Sequence, residues 1–281
     1  MALLGLGLIG CSLGLALRRR GIRVVGWNRT ARAARLAARR GAVSALAASP
    51  AEAVRGAGLV VLGVPPAAMP RVLAALRPAL AARTVVTDVG SVKSPVLRMA
   101  HRNLPVPARF VGGHPMAGSE RSGPAAARAD LFRERTVVLT PEAATDGRAL
   151  RAVARLWRLA GARVVRMPAA RHDRLAAVVS HHPHLAAFAL AAALGEPGVA
   201  GLVAGSFLDA TRVAASPAGL WADILQSNLP ALRAAVRAQR RREDLLLRAL
   251  GGSPGGAERA LAAAGRRRRG LLPGGTGPVK P

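Results

Sequence analysis

Residues 5–10 read Gly5-Leu6-Gly7-Leu8-Ile9-Gly10, and this hexapeptide decides the fold. It follows a short apolar run, Ala2–Leu4, and opens a helical stretch from Cys11 to Arg20. Glycines at this spacing permit a tight turn, the close approach of a pyrophosphate and tight helix–strand packing. The helix that follows aims free N–H groups and the positive end of its dipole at the phosphates. The spacing predicts a dinucleotide site built on Gly5, Gly7, Leu8, Ile9 and Gly10. The strand before it is short enough to suggest that the natural start lies a few residues upstream.

Outward from this loop, apolar runs alternate with amphipathic stretches. Arg23–Gly26, Leu59–Val64, Thr84–Thr87, Phe110–Gly112, Thr136–Leu139 and Arg163–Arg166 read as strands. Pro70–Leu80, with Val72, Leu73, Leu76 and Leu80 on one side, reads as a helix. Such alternation implies parallel crossovers and an α/β, doubly wound, Rossmann-like N-terminal domain over residues 1–166. From 167 to 264 only helical patterns remain, among them Leu229, Leu232 and Val236 on one face. This stretch is expected to be an all-α domain for substrate binding and dimerisation, because Leu245, Leu246, Leu247 and Leu250 would suit burial against a twin subunit. Residues 265–281, basic and rich in Gly and Pro, are expected to be disordered.

The second strand ends at Trp27-Asn28-Arg29-Thr30. Where an Asp often binds a ribose 2′-hydroxyl, this chain has Asn28. Asn does not repel a 2′-phosphate, and Arg29 could pair with one, so the cofactor is NAD or NADP with a tilt to NADP. Arg29 can equally be one more solvated arginine, with NAD as the cofactor.

The chain has 281 residues, 51% hydrophobic, which supports a packed core and excludes wholesale disorder. The net charge is +28, and all but two of the 42 basic residues are arginine, the exceptions being Lys93 and Lys280. The arginines are scattered and aromatics make up 2%, so no specific nucleic-acid site is expected, although anionic ligands should be attracted. The single cysteine, Cys11, excludes an internal disulfide and a cysteine-based zinc site, in keeping with a cytoplasmic protein. The apolar start, Met1–Leu17, precedes its arginines instead of following them, unlike a secretory signal. Leu175–Gly195 lacks Asp, Glu, Lys and Arg, yet its histidines and proline favour a buried helix over a membrane span.

Four polar segments stand out in this apolar framework: Asp88-Val89-Gly90-Ser91-Val92-Lys93, Gly112-Gly113-His114-Pro115-Met116-Ala117-Gly118-Ser119-Glu120, Ser180-His181-His182-Pro183-His184, and Ser206–Arg212 followed by Trp221. The first two follow strands, so they lie at the carboxyl edge of the sheet where ligands bind. Together with the Gly loop and Val64-Pro65-Pro66, these segments resemble the prephenate/arogenate dehydrogenases of tyrosine biosynthesis. The likeness covers roughly residues 1–250, and the His-Pro-Met-Ala-Gly and Ser-His-x-Pro-His segments are its most specific part.

The resemblance implies NAD(P)-dependent oxidative decarboxylation of a small cyclohexadiene dicarboxylate, prephenate or arogenate, by a homodimer without membrane attachment. It implies that His114 accepts the 4-hydroxyl proton, with Ser91 as its hydrogen-bonding neighbour near the nicotinamide. Arg212 would grip a substrate carboxylate and His184 would meet the side-chain end of the substrate. Ser180, His181, Ser119 and Trp221 would line the pocket. Asp209, three residues before Arg212 on a helix, could orient it. Val64 and Pro65 join Asn28, Arg29 and Thr30 in the cofactor set. No metal is expected, since Pro183 spoils helical spacing among the histidines. No regulatory domain fits after residue 250, so feedback control by such a domain is not expected. Lys93, a lysine where this chain otherwise uses arginine, has no assigned role. Three rivals stay open: a β-hydroxyacid dehydrogenase or imine reductase, a basic nucleic-acid-binding protein, and a dinucleotide sensor.

Overall fold

The computed structural model describes residues 1–195 and 198–271. The first part of the chain runs β1 (Ala2–Leu4), α1 (Leu8–Arg18), β2 (Val25–Trp27), α2 (Ala31–Arg39), β3 (Ala45–Leu46), α3 (Pro50–Val54) and β4 (Leu59–Leu62). It continues with α4 (Met69–Leu76), β5 (Val85–Asp88), α5 (Ser94–Asn103), β6 (Phe110–Pro115), β7 (Thr136–Thr140), α6 (Gly147–Leu159) and β8 (Arg163–Arg166). The strands form one sheet in the order β3-β2-β1-β4-β5-β6-β7-β8. Strand β1 therefore has β2 on one side and β4 on the other, which makes its carboxyl end the topological switch point.

Alternation along the strands builds two cores. Leu3, Val61, Val85 and Val111 face one layer, with Leu13 and Leu17 of α1 and Val153 and Trp157 of α6. Leu4, Val60, Leu62, Val86 and Phe110 face the other, with Leu73 and Leu76 of α4 and Val96 of α5. Each large side chain fully buried this way contributes about 1.5–3 kcal/mol. Helix α6 starts where Asp146 accepts hydrogen bonds from the Arg148 and Ala149 amides, the usual service of an N-cap carboxylate.

Two features depart from the sequence reading. Strand β3 is additional, and β6 pairs with β7 in antiparallel fashion. The stretch between β6 and β7 forms only a 3₁₀ turn at Pro124–Ala126. Without a crossover helix the chain returns beside β6 in the opposite direction. The crossover through α6 then makes β7 and β8 parallel.

From Ala169 on, the chain is helical: α7 (Ala169–Ala176), a π-helical turn (Ala177–His181), α8 (His182–Ala192), α9 (Gly205–Thr211), α10 (Ala218–Ser227), α11 (Leu229–Leu250) and α12 (Pro254–Gly270). The chain divides into two compact units, Met1–Leu232 and Arg233–Pro281, so the helices through α10 share a unit with the sheet. In the second unit, Ser253 caps α12 by accepting the Gly256 amide.

The expected tail is corrected at its start. Residues 265–270 continue α12, because the four arginines 266–269 are good helix formers and cations suit a helix C-terminus. Residues 272–281 lie outside the described residues. The expected burial of the 175–195 helix is also corrected. The stretch Ala169–Ala192 is long and apolar enough to cross a membrane, and only 22% of its most apolar window is buried within the chain. Leu175, Val178, Val179 and Leu190 lie on its exposed side.

Candidate active site

The phosphate loop lies at the switch point. A Cβ on Gly10 would collide with the Gly5 carbonyl, so the third glycine of the motif lets α1 sit against the turn. A Cβ on Gly7 would meet nothing within 4 Å, which leaves open space at the head of α1. Gly7 is the N-cap of α1 and no side chain caps this end, so the first-turn amides of Leu8, Ile9 and Gly10 stay available for an anion. Such a cradle fits a dinucleotide pyrophosphate. Asn28 fastens the loop to the end of β2. Its carboxamide oxygen accepts the Leu6 amide at 2.9 Å, and its nitrogen donates to the Thr30 hydroxyl at 3.0 Å. Arg29 and Thr30 are exposed beside it, and Val64 and Pro65 follow β4 next to the loop.

His114 lies on β6 and is 8% exposed. Its Nδ1 is 2.8 Å from Nε2 of His172. His172 in turn places Nδ1 2.9 Å from Oδ1 of Asp173. The two carboxylate oxygens of Asp173 also accept the backbone amides of Lys93 and Ser94, each at 2.8 Å. With both rings neutral, these contacts fix the protons. The Asp173 carboxylate can only accept, so His172 donates from Nδ1 and keeps a lone pair on Nε2. His114 must then donate from Nδ1, which leaves its own Nε2 as a free lone pair. That nitrogen has no partner among the described residues and is not sealed from solvent. The arrangement presents a neutral imidazole base to whatever enters.

Burial, and then the nearby His172 and the Lys93 cation, hold His114 well below the usual imidazole value of 6.5. Burial alone would raise Asp173, yet hydrogen bonds from His172, Ser94 and Lys93 outweigh it and bring the carboxyl down to about 2. The base is therefore ready, and its anionic anchor charged, across the neutral range. Since only the neutral ring can accept a proton, a lowered value moves the acid limb of kcat/KM downward in pH. The kcat/KM profile should stay flat as pH falls through 6.5 and bend only below it; an acid limb at or above that pH would remove His114 from the role.

The other expected residues are distributed as follows. His181 is fully buried, with Nδ1 held at 3.0 Å by the Asn228 amide, and burial first brings it down to about 4. Asn228 also donates to the Asp173 carbonyl at 2.8 Å, tying this histidine to the anchor of the relay. His184 bonds to the Ser180 carbonyl at 2.9 Å and stacks on Trp221, with ring centroids 3.4 Å apart. Among the described residues, no group of three His, Cys, Asp or Glu side chains is placed to hold a metal ion.

Two expectations, a Ser91 contact to His114 and an Asp209 contact to Arg212, need correcting. Ser91 makes no hydrogen bond to His114 among the described residues; the partner of the ring is His172. The Arg212 side chain is 60% exposed and pairs with Glu120 at 2.8 Å. Asp209 forms no ion pair with Arg212 among the described residues; the Arg212 guanidinium pairs with Glu120 instead. The Ser119 hydroxyl serves its own loop by accepting the Arg121 amide at 3.2 Å. His172, Asp173 and Asn228 are site residues that the sequence reading missed. The only signal for the first two was an adjacent His-Asp pair at the start of the helical half.

A phosphate loop at the switch point of a helix-covered sheet, followed by a helical half that supplies part of the site, defines a Rossmann-type nucleotide-binding protein. The family model described as "Prephenate dehydrogenase, nucleotide-binding domain" matches residues 13–166, and "Prephenate dehydrogenase, dimerization domain" matches 168–250. The chain belongs to the prephenate dehydrogenase family. It is 43% identical over 187 residues to a cyclohexadienyl dehydrogenase of Zymomonas mobilis, covering 64% of each chain. It is 36% identical over 234 residues to a prephenate dehydrogenase of Bacillus subtilis, covering 80% of this chain and 63% of the relative. The chain thus spans less than two thirds of the length of these curated relatives. A solved prephenate dehydrogenase from Aquifex aeolicus, in complex with hydroxyphenyl propionate and NAD+, superposes with a TM-score of 0.87 at 28% identity, covering 96% of this chain and 97% of that one.

Proposed function

We propose that this chain is an NAD(P)-dependent dehydrogenase that oxidatively decarboxylates prephenate to 4-hydroxyphenylpyruvate, or arogenate to tyrosine. The observation that carries this reading is the Asp173–His172–His114 relay, which leaves one imidazole lone pair at the carboxyl edge of the sheet. The residues around the Gly loop would hold the cofactor, with the pyrophosphate over Gly7 and the α1 amides. When bound, the nicotinamide supplies the acceptor for the hydride of the carbinol carbon. His114 Nε2 takes the hydroxyl proton as the carbonyl forms; loss of carbon dioxide then makes the ring aromatic, and the proton returns from His114 to the resulting phenolate oxygen. Proton uptake turns His114 cationic, and the Asp173 carboxylate behind His172 offsets that charge. The apolar walls given by Trp221 and His184 suit the ring and side chain of the substrate.

Arg212 is the cation for a substrate carboxylate in this reading. A charged hydrogen bond contributes about 1.5–3 kcal/mol, so Arg212→Ala should raise the KM of the diacid roughly 10- to 100-fold with the KM of the cofactor little changed. Equal effects on both constants would exclude the grip. Arg29 beside the fastened Asn28 favours NADP, since its exposed guanidinium is free to meet a 2′-phosphate. The nucleotide-binding part would be residues 1–166, the helical part 167–264, and the active form a cytoplasmic homodimer with no membrane or specific nucleic-acid partner. Its twin would cover Leu175, Val178, Val179 and Leu190, which are 45–62% exposed in one chain. The deciding experiment is a spectrophotometric assay with prephenate and arogenate, each with NAD+ and NADP+. Reduction of cofactor with neither substrate would overturn the reading.

A further inference from the structure

We propose that Lys93 and Asp88 are positioning residues that jointly hold the Gly113 peptide, and through it His114, at the place where strand β5 ceases to do so. The inference deepens the role given to His114 and rests on it. The backbone pairing of β5 with β6 covers Val86–Phe110 and Thr87–Val111. Two residues further along β6, the Gly113 peptide lies at the end of β5. Its N–H would otherwise be a buried orphan. Instead it donates to Asp88 Oδ1 at 3.0 Å, while the Gly113 carbonyl accepts from Lys93 Nζ at 2.6 Å. Asp88 and Lys93 are themselves ion-paired, and Asp88 Oδ2 also accepts the Gly90 amide at 2.8 Å. Two side chains thus extend the sheet ladder by one residue, the one that precedes the base.

The same lysine anchors the far end of the relay. Its backbone amide donates to Asp173 Oδ1, so one residue fixes both the main chain that carries His114 and the carboxylate behind its ring. Lys93 has no exposed surface at all, and its stem passes 3.5 Å from where a Cβ on Gly112 would lie. A single compact ammonium fits between Asp88 and the Gly113 carbonyl. The wider fork of an arginine has no room there, which accounts for a lysine in a chain that otherwise uses arginine. Burial, offset by Asp88, pulls the Lys93 ammonium down from its ordinary value. The pair is therefore held by geometry that a lone charge could not sustain.

Removing only the lysine would strand a buried carboxylate, so the main test is the double variant Lys93→Met with Asp88→Asn. The isosteric Asp88→Asn and the conservative Lys93→Arg are measured beside it, with His114→Asn as comparator. Variants that keep cooperative thermal unfolding are assayed for kcat, both KM values and the pH profile. Loss of Lys93 should lower kcat by roughly 10- to 100-fold, leave the KM of the cofactor within about threefold, and move the acid limb of kcat/KM upward. The limb moves because the cation that disfavours protonated His114 is gone. Lys93→Arg should fail to restore kcat, and Asp88→Asn should lower it in the same direction. A folded double variant or Asp88→Asn with unchanged kcat, beside a slow His114→Asn, would overturn the positioning role alone. A fast His114→Asn would overturn the proposed function itself. A fall in thermal stability with kcat and the acid limb unmoved would make the pair purely structural and also overturn the proposal.

Discussion

His114→Asn is expected to lower kcat by at least about a hundredfold while leaving cofactor affinity nearly unchanged. Asparagine is polar, fits on β6 without disturbing the sheet, and can still donate to His172 Nε2. It cannot take up a proton. The phosphate loop lies at the end of β1 and makes no hydrogen bond to His114, so nothing in the substitution should weaken dinucleotide binding. Steady-state rates, with a fluorescence titration of reduced cofactor, separate the two effects. A variant that turned over at the original rate would take His114 out of the chemistry.

Exchange of His172 for leucine should be the second large effect, a loss of about 30- to 100-fold in kcat. His172 touches the His114 ring and is only 2% exposed, so leucine fills much of its space while deleting the acceptor for the His114 Nδ1 proton. The His114 proton is then free to move to Nε2, and in that tautomer the base has no lone pair to offer. Nitrogen chemical shifts of the His114 ring should report protonated Nδ1 and bare Nε2 in the unaltered chain, and a mixture in the variant. Because the two residues act as one device, His114→Asn with His172→Leu should be little slower than His114→Asn alone. Full additivity of the two losses would mean that the histidines work independently.

How much of this could be read from the residues alone varied with how local the signal was. The Gly loop and its flanking strand and helix are contiguous, and the structure places β1 and α1 as the motif demands. Strand β3 gave no signal because Ala45 and Leu46 are both exposed, with no buried face to imprint a pattern. The reversal at β7 was hidden for a different reason. Alternation reports which faces are buried but not strand direction, and the missing crossover helix before Thr136 was the only clue. In the site, His114 was found through its segment, but its partners were not. His172 and Asp173 lie 58 and 59 positions away on a helix and meet the ring only through tertiary packing. The pairing of Arg212 with Glu120 was hidden in the same way, since the two lie 92 positions apart.

The π-helical turn at Ala177–His181 sets the angular phase of everything that follows it. His172 and His181 are nine positions apart, and in a regular α-helix that separation is about two and a half revolutions, which would leave them on opposite faces. The wider turn unwinds part of that rotation, so both imidazoles lie inward and share the bonding reach of Asn228 and Asp173. One surplus residue thus acts as a clocking pin: shortening the coil there by a single position would spin His184 and the rest of α8 by roughly 100° and take His184 off the Trp221 ring.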